Sequence, residues 1–181
     1  MFNKFKTMNN KQKAILIIKI LNKIYPKTPI PLKHRNKFTL LISVLLSAQC
    51  TDLNVNNVTK NIYSKYYKPE HFVKLGRKKI ERLIRKIGLF RVKANSIYNL
   101  SKQLLDKHKS QVPNTFEELE KLPGVGHKTA SVVISQGFGK PAFPVDTHIH
   151  RLAQRWGLTN GKNVEQTEKD LKKSIPTKKM E

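Results

Sequence analysis

Leu122-Pro123-Gly124-Val125-Gly126-His127-Lys128-Thr129-Ala130 joins two segments of helical periodicity, 116–122 and 127–135. Two glycines two apart permit a tight turn whose backbone N–H groups face outward, and the turn opens onto a helix N-terminus. Such a corner binds a phosphate through its amides and the positive end of the helix dipole. Val125 is placed to plug the turn into the core. A corner between two helices in any protein shares the Gly-x-Gly pattern; the flanking helices, Leu122 and a basic background favour the phosphate-binding reading here. The hairpin residues Leu122, Pro123, Gly124, Val125, Gly126 and His127 would grip a nucleic-acid backbone without reading its sequence.

The rest of the chain reads as helices too. Ile15, Ile17, Ile18, Leu21, Ile24 and Tyr25 recur at helical spacing, and Pro26, Pro29 and Pro31 then interrupt the pattern. Residues 38–48 form a short, strongly apolar helix suited to a buried position. Thr51 or Asp52 can cap a third helix with Val55, Val58, Ile62 and Tyr66 inward. Residues 78–87 give a fourth, ending at Gly88. Residues 92–108 give a fifth, and Thr115 caps a short helix in which Glu118 completes a capping box. Beyond a linker marked by Pro141 and Pro144, 147–156 and 164–174 read as two more. No run alternates as a strand does, and no repeat of 20–50 residues is evident. The expected fold class is all-α.

The sequence carries 36 Lys and Arg against 12 Asp and Glu, a formal charge of +24, which points to a polyanion as partner. Nucleic acid is the first candidate and an anionic membrane surface the second. Most of the basic residues are Lys, a bias that an A+T-rich genome also produces, so charge alone establishes only that phosphate contact is easy. Cys50 is the only cysteine, which excludes an internal disulfide framework and a cysteine-rich metal site within these residues. No segment approaches the length of a membrane span, and no apolar run follows the basic N-terminus as in a signal peptide. A cytoplasmic, nucleoid-associated location is expected.

Two residues carry candidate chemistry. Lys128 stands in the first turn after the hairpin, beside the phosphate site; on position alone it reads as one more phosphate contact. Asp146, in Val145-Asp146-Thr147-His148, follows the proline-bounded linker at the N-cap of another helix. Capping and catalysis are compatible, because a carboxylate held by backbone amides stays ionised and fixed. His148 and His150 are two apart, on different sides of a helix, and have no nearby acidic or cysteine partner. No metal site is expected.

In order along the chain, Leu46-Ser47-Ala48-Gln49-Cys50-Thr51-Asp52, Ile87-Gly88-Leu89, the hairpin with Lys128, Val145-Asp146-Thr147-His148 and Gly161-Lys162-Asn163-Val164-Glu165-Gln166 resemble the endonuclease III family of helix-hairpin-helix DNA glycosylases. The resemblance implies a two-lobed helical fold. Residues 30–140 form the lobe with the hairpin (122–127), and 1–29 plus 141–181 form a second lobe. It implies removal of oxidised pyrimidines from duplex DNA by a monomer, with an associated β-elimination lyase activity. Lys128 is then the nucleophile that attacks the sugar C1′ and Asp146 its electrostatic and proton-transfer partner. Gln49 and Leu89 fill the space left by the flipped nucleotide, Gln hydrogen-bonding to the orphaned base and Leu acting as an apolar wedge. An attacking amine must be neutral, so its surroundings must lower its pKa.

Two features depart from the family pattern. His127 stands where arginine is frequent, which makes a phosphate contact weaker and more pH-dependent. Many relatives also carry four cysteines that hold a [4Fe–4S] cluster, and no such cysteines occur up to Glu181. The second lobe is therefore expected to be incomplete at its C-terminus. Other base preferences (oxidised guanine, mismatched thymine) and a catalytically weakened DNA-binding remnant are the competing readings.

Overall fold

Short polar side chains set where most of the helices begin. The computed structural model describes residues 5, 7–26 and 30–175. Its helices are α1 (Asn10–Ile24), α2 (Lys37–Ser47), α3 (Asp52–Tyr63), α4 (Pro69–Leu83), α5 (Phe90–His108), α6 (Phe116–Glu120), α7 (His127–Val132), α8 (Thr147–Arg155) and α9 (Val164–Ser174). Asn9, Asn36, Thr51, Thr115, Asp146 and Asn163 precede α1, α2, α3, α6, α8 and α9, and each side chain accepts from a backbone N–H of the first turn. These amides have no intrahelical acceptor, and each cap contributes about 1 kcal/mol. The fold is all-α, with no strand among the described residues.

Four local expectations need correction. The helix placed at 78–87 begins at Pro69 and ends at Leu83, and Gly76 breaks it at φ 71° and ψ 158°. Proline is preorganised for a first helical position, while the glycine scrambles the apolar periodicity that would have revealed the first half. The third helix stops at Tyr63, short of Tyr66. Thr115 accepts from the Glu118 N–H, but Glu118 Oε2 accepts from the Thr115 hydroxyl (3.1 Å), so the side chains pair with each other. Beyond α7 the chain continues as a π-helical turn, Val133–Gly137, which periodicity alone does not signal. Part of the proline linker at 26–31 lies outside the described residues.

The chain divides into two compact units, Ile30–Gly139 and the paired segments Met1–Pro29 and Lys140–Glu181. In Ile30–Gly139, α2 is buried along 38–46, and α3, α5, α7 and the π-helical turn pack on it. Each fully buried Leu or Ile there contributes about 1.5–3 kcal/mol. The two hydroxyls in the buried stretch of α2 are satisfied: Thr39 donates to the Asn36 carbonyl (2.9 Å), and Ser43 pairs with the Tyr63 hydroxyl (2.8 Å). In the other unit Ala14, Val145, Ala153, Leu158, Leu171 and Ile175 form the core, with Ile17, Ile18, Phe143, Ile149, Trp156 and Val164 packed around it. Asn10 on α1 donates to the Leu158 carbonyl (3.2 Å), joining the first described helix to the turn after α8. Among the described residues no helix is long and apolar enough to cross a membrane.

Candidate active site

The two hairpin glycines have different tasks. Leu122 N–H donates to the Leu119 carbonyl (3.0 Å) and Val125 N–H to the Leu122 carbonyl (3.1 Å), closing the turn. The Val125 amide is thus directed into the turn, which corrects the expectation that all the hairpin amides face outward; its side chain is buried as expected. Gly124 has φ 79°, and a Cβ there would lie 2.7 Å from the Cβ and Oγ of Ser96 on α5. Gly126 is extended (φ −95°, ψ 175°), and a Cβ there would meet no atom within 4 Å among the described residues, its chain neighbours aside. Among the described residues no side chain caps the N-terminus of α7.

These environments give opposite expected results. Gly124→Ala combines left-handed strain with a clash and should cost about 2–4 kcal/mol, read as a lower urea midpoint. Gly126→Ala should leave stability unchanged or raise it by up to about 1 kcal/mol through the unfolded chain. In the same variant the added methyl should weaken DNA binding by about tenfold, because it occupies the approach to the α7 amides. Equal DNA affinity for Gly126→Ala and wild type would remove the phosphate from this site.

Lys128, exposed in the first turn of α7, lines a cleft of about 310 Å³. Pro31, Ser47, Gln49, Asp52 and Thr129 also border it. The structure therefore brings Lys128 and Gln49 to one cleft. It adds Asp52, which the sequence offered only as a possible cap; Thr51 takes that task, accepting from the Asn54 N–H (3.4 Å).

Gln49 and Leu89 share an unusual backbone state. Both lie in the left-handed region, at φ 54° and 57°, which disfavours side chains by about 1–2 kcal/mol. Gln49 ends the turn after α2, and Leu89 is the N-cap of α5. Leu89 is 59% exposed, an apolar side chain held in solvent, and Val92 one turn on is exposed as well. The two turns touch: a Cβ on Gly88 would lie 3.7 Å from the Gln49 carbonyl oxygen.

His127 is less available to phosphate than its position suggests. Its Nδ1 is 2.6 Å from Glu120 Oε1, and its ring stacks on Phe116 with centroids 5.2 Å apart. The sequence reading missed Glu120; the seven-residue spacing across a hairpin is visible only once the corner is folded. In the unit of the paired terminal segments, Asp146 caps α8, its Oδ1 accepting from the His148 (3.0 Å) and Ile149 (2.9 Å) amides. His150 pairs with Thr167 (2.7 Å), while His148 Nδ1 accepts from Arg151 (3.3 Å), so the two histidines serve different partners.

A sequence profile of the HhH-GPD superfamily base excision DNA repair proteins matches residues 42–177. Endonuclease III of Rickettsia conorii is 44% identical over 162 residues, 90% of this chain and 77% of the relative. The chain belongs to the endonuclease III family. Endonuclease III of Bacillus subtilis is 42% identical over 170 residues, 93% of this chain and 77% of the relative. Among solved structures, a trapped covalent intermediate of an endonuclease III with DNA superposes with a TM-score of 0.89 at 44% identity, covering 96% of this chain and 82% of that one. This endonuclease III family protein is a base-excision repair enzyme, a DNA glycosylase with abasic-site lyase activity. A [4Fe–4S] cluster of the kind endonuclease III relatives carry takes four thiolates. Cys50 is the only cysteine, and among the described residues no three His, Cys, Asp or Glu side chains are grouped to hold a metal ion. The residues of this chain do not fit that cluster.

Proposed function

We propose that this endonuclease III family protein removes oxidised pyrimidines from duplex DNA, acting as a monomer through a Schiff base on Lys128. The observation that carries the proposal is the cleft that Lys128 shares with Gln49, beside an uncapped helix N-terminus fronted by Gly126. Phosphate approaches the α7 amides at Gly126, which fixes the DNA backbone without reading sequence. The target nucleotide is extruded, Leu89 enters the stack as a wedge, and Gln49 hydrogen-bonds to the orphaned base.

Lys128 is exposed at the start of α7, where a bound DNA backbone can reach it. The Nζ lone pair attacks C1′, the glycosidic C–N bond breaks, and the base leaves with the bonding electrons and takes up a proton. The nitrogen of this adduct gives up one proton, its lone pair then breaks the C1′–O4′ bond and opens the sugar ring, and O4′ takes up a proton, which leaves a protonated imine. That imine acidifies C2′; a C2′ proton is lost, the C3′–O bond breaks, and the 3′ phosphate departs. Water then hydrolyses the imine and frees Lys128. Asp146 stabilises the positive charge that develops on the sugar and relays protons. Its two amide hydrogen bonds hold the carboxylate in one place for this role.

The test is single-turnover excision from matched duplexes holding thymine glycol, oxidised guanine or mismatched thymine, with borohydride added to trap the imine. Thymine glycol is expected to react fastest and to give a covalent adduct. Faster turnover of either other substrate would reassign the base, and excision without a trappable adduct would remove the Schiff base.

A further inference from the structure

Helix α5 buries a cation where its register calls for an apolar residue. Lys93 stands one turn before Ile97, on the face continued by Leu100 and Leu104, and it is only 6% exposed. Its ammonium donates to the carbonyls of Leu46 (2.9 Å) and Ala48 (2.6 Å) at the end of α2. Carbonyls at a helix C-terminus lack intrahelical donors and carry the negative end of the dipole, so a buried cation satisfies both needs. Burial lowers the Lys93 pKa from its ordinary value, while the neighbouring Cys50 acts in the opposite direction.

What Lys93 joins is more informative than its burial. Gln49 follows Ala48 directly, and the Lys93 backbone N–H donates to the carbonyl of Leu89 (3.0 Å). One residue therefore holds the turn that presents Gln49 with its side chain and the turn that presents Leu89 with its main chain. Asn54 adds a second tie, its Nδ2 donating to Cys50 Sγ (3.2 Å) and to the Lys86 carbonyl (3.1 Å). Two separate turns, each in a strained left-handed conformation, are thus bracketed together on both sides. A pair of side chains that must enter one step of a base stack needs this kind of relative fixing, because successive bases in one strand lie only about 3.4 Å apart.

We propose that Lys93, backed by Asn54, is a positioning residue for base extrusion, clamping the Gln49 and Leu89 turns so that they enter DNA as one rigid wedge. The proposal rests on reading Gln49 and Leu89 as the gap-filling pair. Its test compares two substrates with the full chain: a duplex holding thymine glycol beside 2-aminopurine, and an abasic site in single-stranded DNA, which needs no extrusion. Lys93→Met should lose duplex excision by about 100-fold together with the 2-aminopurine fluorescence rise, while single-strand cleavage is retained. Lys93→Arg, which keeps a buried donor, should restore most of both duplex signals.

Wild-type duplex excision by folded Lys93→Met, or an equal loss on both substrates, overturns the proposal. The double variant Gln49→Ala/Leu89→Ala separates the two ideas. If it excises from duplex normally, the gap-filling reading fails; if it is impaired and Lys93→Met is not, only the clamp fails. Should Lys93→Met not fold, Asn54→Ala decides: a duplex-selective loss of about tenfold supports the clamp, and unchanged duplex excision overturns it.

Discussion

Lys128→Ala should bind damaged duplex and yield no borohydride-trapped adduct, with base excision reduced on the order of 10⁴-fold or more. The size follows from the role: without the amine no bond forms to C1′, and base loss and strand cleavage lose their common intermediate. The fold should not suffer, because Lys128 is exposed on α7 and alanine is the strongest helix former. Lys128→Arg sharpens the result. Guanidinium keeps the positive charge beside the phosphate but stays protonated, so it should preserve DNA affinity and remain inactive. A wild-type yield of adduct from Lys128→Ala would assign the nucleophile to another residue.

Asp146→Asn should reduce excision by about 10²–10⁴-fold with DNA affinity and melting temperature largely unchanged. Asparagine caps a helix as well as aspartate does, so α8 keeps its hydrogen bonds and only the charge is removed. Asp146→Ala removes both and should also lose about 1 kcal/mol of stability. Single-turnover excision of thymine glycol, measured beside cleavage of a preformed abasic site, locates the effect. If base release slows more than β-elimination, the carboxylate acts on the charge that develops at C1′. Equal rates for Asp146→Asn and wild type would leave Asp146 as a helix cap alone.

Much of this fold is legible from local signals. Residues 164–174 begin after Asn163 and end where the apolar periodicity ends, and the structure has the same bounds. The caps at Thr115 and Asp146 are equally readable, since a short polar side chain before an apolar-periodic run has few other uses. Where the reading failed, the deciding feature lay outside the apolar periodicity, and often outside the element itself. The first half of α4 lies before a glycine kink, and the π-helical turn fits between neighbours such as Leu40, which a Cβ on Gly137 would approach to 3.2 Å. The room denied to a side chain at Gly124 is taken by Ser96, and the ring of His127 is held by Phe116 and Glu120. Lys93 did leave a trace, a charged residue in register with Ile97, Leu100 and Leu104. Lysines are so common in this chain that one at an inward position does not stand out from composition, and its two acceptors, in the last turn of α2 and just past it, are 47 and 45 residues away.

The bond from Asn10 to Leu158 closes a loop of nearly the whole chain, and this sets an order of assembly. Helix α1 is synthesised well before the residues that bury it, such as Leu158 and Leu171. The intervening stretch of about 110 residues condenses on shorter-range contacts of its own. Collapsed, such a stretch has a radius of gyration near 13 Å instead of about 34 Å unfolded, which brings the distant ends within reach. The unit with the amine can thus take shape while the unit with the carboxylate still waits for its second half, and α1 passes that interval with Ala14, Ile17 and Ile18 uncovered. A nascent chain of this protein is therefore vulnerable to aggregation at helix α1.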